Sequence, residues 1–327
     1  MNEGRCVKCG SCLRACPVLN DPSGSRFPGP RTVGVDAPRF LERDSIGQNA
    51  LRCTTCHACE WACPSGITLT RSMLKLRSEM SGERLPGHRK MLENISSFGR
   101  TVSTEFSGWM EDGNRILYFP GCIGLGRSTD LTASVSSLLT SLGMKHDISS
   151  EAMCCGSPLL KIGALDAAEG LRRRNAEVFS RYDRIITSCP GCTYQLREVY
   201  GIEAEHVIEV LKGSDLCSNL EGRWALQVPC HLRRGISPWT AEDLISILES
   251  AGVSVVRMPG EDGCCGGGGG MLSGFPETSG SIARSKVDLY RRAGVNGVIT
   301  ACPFCSLNLG REGIKVLDIG EAIAPKL

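Results

Sequence analysis

Several things are scarce in this sequence of 327 residues, and each scarcity closes off a class of function. Charge of one sign is missing: 37 Lys and Arg stand against 35 Asp and Glu, a net charge of +2. A balance that near to neutral leaves no electrostatic footprint for nucleic acid or for an anionic membrane surface. No run of eighteen apolar residues occurs, so no membrane span is expected. The opening MNEGRC has no charged-then-apolar signal region, so secretion is not expected and a cytoplasmic location is. No G-x-G-x-x-G follows a strand and opens a helix, so neither flavin nor nicotinamide is expected in this chain. Aromatic residues make up only 5%, against 41% hydrophobic and 22% charged residues overall. That is the composition of a folded chain long enough for about two domains of roughly 100–200 residues each.

Cysteine is the exception, with 19 residues. A secreted disulfide scaffold is usually short and carries a signal peptide, so this number points to metal, and spacing decides which. Residues 6–17 read CVKCGSCLRACP and residues 53–64 read CTTCHACEWACP, both C-x2-C-x2-C-x3-C-P. The short steps wrap three thiolates around one iron–sulfur cube, and the fourth cysteine reaches the other cluster. One [4Fe–4S] cubane is thereby expected on Cys6, Cys9, Cys12 and Cys63, and another on Cys53, Cys56, Cys59 and Cys16. Zinc takes two separated pairs more often than two runs of four, and is the weaker reading. Pro17 and Pro64 stop each turn, the Pro-, Gly- and Ser-rich stretch 20–34 reads as loop, and 70–81 has helical spacing. His57 reads as an exposed spacer.

The remaining sequence repeats itself. FPGC (119–122) returns as VPCH (228–231), MCCG (153–156) as GCCG (263–266), and TSCPGC (187–192) as TACPFC (300–305). The offsets are 108 from Cys122 to Cys230, 110 from Cys154 to Cys264 and 113 from Cys189 to Cys302, which marks a duplicated unit of about 110 residues. Apolar runs at 116–119, 185–188, 225–228 and 298–301 predict buried parallel strands that deliver cysteines at their carboxyl ends. Amphipathic patterns at 131–142, 164–179, 241–248 and 281–290 predict the helices between them. In such an α/β unit ligands collect at the carboxyl ends of the strands, so all ten cysteines are expected on one rim. Vicinal cysteines can instead form a strained disulfide, C-x-x-C can be a redox pair, and one zinc per unit is a further alternative.

Five cysteines per unit exceed what a cubane needs. The pattern C-x31-CCG-x32-C-x2-C, which returns as C-x33-CCG-x35-C-x2-C, resembles the cysteine-rich CCG domain of heterodisulfide reductase. With the ferredoxin-like runs in front, the chain resembles the fused form of that enzyme's iron–sulfur component, in which ferredoxin-like and CCG parts share one polypeptide. CCGGGGG (264–270) and His206-x2-Glu209-x-Leu211 fit that form too. The chain is shorter than it, so some peripheral elements are expected to be missing. The resemblance implies a noncubane [4Fe–4S] cluster on Cys122, Cys154, Cys155, Cys189 and Cys192 and a second on Cys230, Cys264, Cys265, Cys302 and Cys305. Only Cys217 is left over, and it reads as a satellite cysteine. The implied fold is α/β, α+β over the whole chain. A small α-helical two-cluster ferredoxin-like domain spans 1–108, and a duplicated CCG domain with short parallel sheets spans 109–327, with repeats near 113–215 and 222–327.

The implied activity is that of an iron–sulfur catalytic component within a multi-subunit complex. Electrons enter at two cubanes and pass to two noncubane clusters, which cleave the coenzyme M–coenzyme B disulfide of methanogenesis. His231, next to Cys230, is the candidate proton donor. Lys161, Arg233 and Arg234 are candidates for binding an anionic substrate. An electron donor, flavoprotein or cytochrome b, is the implied partner, and membrane association would come only through it. The competing readings are a relay subunit of an anaerobic glycerol-3-phosphate, glycolate or lactate dehydrogenase and the iron–sulfur component of thiol:fumarate reductase, with a cluster-carrying scaffold as the non-enzyme class.

Overall fold

The computed structural model describes residues 3–24, 26–40, 46–80, 83–103 and 106–326. The apolar runs of the first repeat become β1 (Ile116–Phe119) and β2 (Arg184–Thr187), and a further short strand, β3 (Glu205–His206), completes a parallel sheet in the order β1-β2-β3. After β4 (Leu216–Cys217) come β5 (Arg223–Gln227), β6 (Ser254–Val256), β7 (Gly297–Thr300) and β8 (Val316–Asp318), a parallel sheet in the order β6-β5-β7-β8. The last strand, β9 (Ala324–Pro325), pairs antiparallel with β4 and so ties the chain end to the join between the repeats. The helical patterns form helices at Thr129–Ser141, Leu165–Phe179, Pro238–Ser250 and Pro276–Arg292.

The duplication extends to the hydrogen-bond register. Ile116 to Phe119 pair with Arg184 to Thr187 in β1 and β2, and Trp224 to Gln227 pair with Gly297 to Thr300 in β5 and β7. Those two registers coincide under the sequence offsets of 108 and 113. On the next strand Thr187 faces His206 and Thr300 faces Asp318. Each of these partners then caps a helix, His206 with Glu209 and Asp318 with Glu321, in matching capping boxes. The position of β6 is held in the first repeat by a single parallel bridge from Leu117 to Asp147. Periodicity cannot find β3, β6 and β8, because two or three residues are shorter than any repeat it measures.

The two repeats share one apolar core. Tyr118 and Ile186 pack with Leu226, Val228 and Ile299, and the helices at Thr129–Ser141 and Pro238–Ser250 cover them. The N-terminal segment is not a separate bead. Val18, Phe27, Val33, Met73 and Leu76 share a core with Met271 and Ile282 of the second repeat. Part of the stretch 20–34 expected to be loop is wound into short helical turns at Pro22–Gly24 and Thr32–Asp36, the second running on beyond residue 34, with Val33 and Val35 buried. Buried valines outweigh the turn-forming composition there. The predicted helix near 70–81 is Leu69–Ser78, and beyond Met80 the predicted span reaches residues outside those described. Among the described residues no helix is long and apolar enough to cross a membrane.

Leu226, 1% exposed, lies in the shared core. Leu226→Ala should cost about 2–5 kcal/mol. Trp239, 76% exposed, should tolerate alanine within about 0.5 kcal/mol. Denaturant midpoints of the two variants check this contrast.

Candidate metal centres

Each ferredoxin-like run turns through left-handed backbone at matching positions, Lys8 and Gly10 in the first and Thr55 and His57 in the second. Each then enters a one-turn helix, Ser11–Arg14 or Ala58–Trp61, that carries its third cysteine. Cys6, Cys9 and Cys12 border one small cavity together with Cys63, the last cysteine of the other run. Reciprocally, Cys16 lies within electrostatic reach of Cys53, Cys56 and Cys59. Burial pushes the Cys16 thiol up to about 12, with Cys53 and Cys56 adding to the rise. Burial raises Cys59 as well. Sulfur in these places needs a positive partner to stay ionised, and iron supplies one.

In the second half the ends of β1, β2, β5 and β7 deliver cysteine in the same way. Cys122 follows β1, and Cys189 caps the helix Pro190–Gln195 after β2. Cys230 follows β5, and Cys302 caps the helix Pro303–Gly310 after β7. The vicinal pairs Cys154–Cys155 and Cys264–Cys265 precede Gly156 and Gly266, at φ +78° and +84°, which turn the chain away. All ten cysteines line one cavity of about 340 Å³. Within each set the distances match: Cys192 Sγ lies 3.4 Å from Cys155 Sγ, and Cys305 Sγ lies 3.4 Å from Cys265 Sγ. Cys189 and Cys302, one from each repeat, are in hydrogen-bonding contact and join the two sets. Cys56 of the ferredoxin-like segment packs on Cys230 and Cys264. The sulfur atoms thus run continuously from the N-terminal segment into the cavity.

The donor set fits clusters better than single ions. All 19 cysteines are unbridged thiols. Among the described residues no group of three or more His, Cys, Asp or Glu converges as one metal ion requires. The sulfurs border a space instead, which is what a polynuclear cluster needs. Cys217 stands apart, half-buried in β4 with its Sγ 3.7 Å from Pro325 O.

Other side chains are placed differently from what the sequence suggests. His57 is no exposed spacer. Its side chain is 11% exposed, its Nδ1 lies 2.6 Å from Glu60 Oε2, and its ring centroid is 5.5 Å from both His231 and Tyr194. Sequence gives no signal of this, because the contact crosses from the N-terminal segment to the second repeat. His231 lines the cavity with Nδ1 3.4 Å from Cys230 Sγ and Nε2 3.3 Å from Lys161 Nζ. Burial, then the charges of Lys161, His57 and Arg234, hold His231 well below the usual histidine range, so its imidazole is neutral. Lys161 also lines the cavity, and burial lowers its ammonium pKa.

Arg233 and Arg234 are occupied elsewhere. Arg233 pairs with Glu242 and Asp262, and Arg234 pairs with Asp262 and donates to Cys56 O at 2.8 Å. They brace the site, and of the three candidate cations Lys161 is the one that lines the cavity. His88 meets Gly270 O at 2.9 Å and His146 meets Ser136 Oγ at 2.8 Å, both as core histidines. Burial pushes His206 down to about 4, as expected for a neutral cap.

The glycine run 266–270 lines the cavity from Gly267 to Gly270. It presses backbone to backbone on the second ferredoxin-like run. A Cβ at Gly269, φ +69°, would lie 2.4 Å from Cys53 O and 2.6 Å from the Thr54 carbonyl carbon.

Comparison with known proteins agrees with this arrangement. The CCG cysteine-rich domain matches residues 116–197 and 224–310, and a 4Fe-4S dicluster domain matches residues 4–67. The chain is 32% identical to one of the subunits of fumarate reductase (CoM/CoB) from Methanothermobacter marburgensis, over 97% of this chain and 71% of that one. It is 26% identical to one of the subunits of dihydromethanophenazine:CoB–CoM heterodisulfide reductase from Methanosarcina barkeri, over 100% and 94%. It is 27% identical to lactate utilization protein A from Lysinibacillus sphaericus, over 59% and 96%. A crystal structure of a hypothetical protein from Helicobacter pylori shares the fold, with a TM-score of 0.61 at 10% identity, covering 92% of this chain and 67% of that one.

Gly269→Ala should force the glycine run off Cys53 and cost about 1–3 kcal/mol. Gly170→Ala, which meets no atom within 4 Å in its helix, should be neutral or stabilising. Denaturant midpoints of the two holoproteins separate these outcomes.

Proposed function

This chain belongs to the cysteine-rich CCG family, with a 4Fe-4S dicluster domain in front, and on that footing we propose that it is the iron–sulfur catalytic component of a complex that interconverts a disulfide and two thiols. The observation that carries the reading is the single cavity lined by all ten cysteines of two complete motifs, with Cys56 at its side. Cys6, Cys9, Cys12 and Cys63 would hold one cubane and Cys16, Cys53, Cys56 and Cys59 the other. Cys122, Cys154, Cys155, Cys189 and Cys192 would hold one noncubane cluster, and Cys230, Cys264, Cys265, Cys302 and Cys305 the second. When bound, these four [4Fe–4S] groups supply one-electron steps that sum to the two electrons a disulfide needs.

The balanced reaction is R–S–S–R′ + 2 e⁻ + 2 H⁺ → RSH + R′SH, with the coenzyme M–coenzyme B mixed disulfide as the proposed substrate. The chain's own part is to bind, orient and protonate. The cavity of about 340 Å³ is the space that the two clusters and the substrate would share. Lys161 lines the cavity and would give its proton to a newly formed thiolate, with His231 Nε2 3.3 Å from its Nζ to orient it. On this proposal the role expected of His231 changes: Lys161 is the proton donor, and the ring between Lys161 and Cys230 holds it in place. Electrons come from a partner, flavoprotein or cytochrome b, that meets the N-terminal segment. The 32% identity to the fumarate reductase relative supports the same chemistry run towards the disulfide.

One second reading has an observation of its own. The likeness to lactate utilization protein A supports a relay role, in which the chain passes electrons and never meets a disulfide. Two intact motifs on one cavity favour the catalytic reading. The test is anaerobic turnover of the iron-loaded protein with reduced viologen and the mixed disulfide. Two viologens oxidised and two thiols released per disulfide is the expected result. Full iron content without turnover makes the chain a relay. Lys161→Met and His231→Gln should each lower turnover by about 10²–10⁴-fold at unchanged iron content.

A further inference from the structure

The surroundings of the two N-terminal cysteine sets differ in fixed charge. Arg77 is 3% exposed at the end of the helix Leu69–Ser78. A guanidinium has five N–H donors, and in Arg77 all of them meet backbone carbonyls. Nε reaches Ala50 O at 3.1 Å, and Nη2 reaches Ala50 O and Cys53 O, both at 2.8 Å. Nη1 reaches Lys161 O at 2.7 Å and Gly269 O at 3.2 Å. No donor remains for a carboxylate, and among the described residues Arg77 has no ion pair.

An unpaired interior cation is costly, and natural proteins keep one where an anion faces it. The anion facing Arg77 is the sulfur centre at Cys53. The other set has no buried, unpaired cation: of the residues lining its cavity, Lys8 is exposed and Arg31 pairs with Asp36. Cys9 is exposed, and its cation Arg14 lies on the surface, donating to Cys9 O at 3.3 Å in water that screens it. Arg234 also reaches the inner set through Cys56 O, but its charge is matched by Asp262.

Cluster potential depends on net charge and on solvent exposure. Reduction adds negative charge, so burial alone would make the inner set the harder one to reduce. A fixed buried cation acts the other way and acts unscreened. Glu60, whose field also reaches Cys53, opposes it, but its carboxylate is held by His57 Nδ1 and the Thr70 amide, each at 2.6 Å.

We propose that Arg77 is a positioning residue for electron flow: its unpaired charge makes a cluster on Cys16, Cys53, Cys56 and Cys59 easier to reduce than one on Cys6, Cys9, Cys12 and Cys63. The inference rests on the cluster assignment proposed above. One electron given up at the exposed Cys9 end is gained at the inner set, beside Cys264, with no bond broken and no proton moved. Arg77 also ties Cys53, Gly269 and Lys161 into one hydrogen-bonded junction, so the residue that sets the charge also fixes the contact with the cavity wall.

The experiment is an anaerobic redox titration of the iron-loaded chain followed by electron paramagnetic resonance. Cys9→Ser identifies the outer signal. In the unmodified protein the inner cubane should titrate higher by at least tenfold in its reduced-to-oxidised ratio, about 59 mV for one electron. Arg77→Gln should lower the inner potential by about that amount and leave the outer one in place. Arg77→Lys keeps the charge and should keep the potential, whereas Glu60→Gln should raise it. Equal or reversed potentials in the unmodified protein overturn the proposal, as does an Arg77→Gln protein with full iron and an unmoved inner signal. If Arg77→Gln fails to hold clusters, the order in the unmodified protein and the direction of the Glu60→Gln shift decide the matter. Absence of two cubane signals in the unmodified protein would instead remove the cluster assignment, and this inference with it.

Discussion

Ten cysteine side chains, none more than 9% exposed, face one cavity, and the cost of burying sulfur that must carry negative charge governs much of what surrounds them. Folding alone cannot hold thiolates in such a place. The protein answers with cations whose partners are main-chain carbonyls. Arg100 donates to Ser150 O and Ala152 O near Cys122 and Cys154, and Lys286 donates to Gly260 O and Gly263 O near Cys264 and Cys265. A cation held by dipoles keeps its full charge for the sulfur. A salt bridge to a carboxylate would have cancelled it.

The duplicated fold places the sulfur, and its departures from symmetry give the site a direction. Equal registers in the two sheets bring Cys189 and Cys302 to equivalent strand ends, where they meet. The five-glycine run exists only in the second repeat, and that run lies against Cys53 and Thr54. The second set of five cysteines therefore touches the ferredoxin-like segment through Cys230, Cys264 and Cys56, and the first set is reached across the cavity. His57, stacked near His231 and Tyr194, closes the same junction on its other side.

What was legible in the sequence follows from the range of the signal. Cysteine spacing within a run is local and specific, and it led to a family that the comparisons support over nearly the whole chain. The α/β character was legible because apolar runs of four residues end at cysteines on strands β1, β2, β5 and β7. The rest was hidden for a physical reason. Arg77 and His57 act through backbone carbonyls or through contacts between residues far apart in the chain, and a carbonyl leaves no residue-type signature. Arg233 and Arg234 looked equivalent to Lys161, because sequence does not show which cation Asp262 already occupies.

On the proposed assignment the ten buried cysteines house two clusters of a kind distinct from those of the N-terminal runs. Iron and acid-labile sulfide analysis with Mössbauer spectroscopy of the anaerobically purified chain tests it directly. Four such clusters require about sixteen irons per chain, four in each, with about half in cubane and half in a second environment. About eight irons, all cubane, would contradict it.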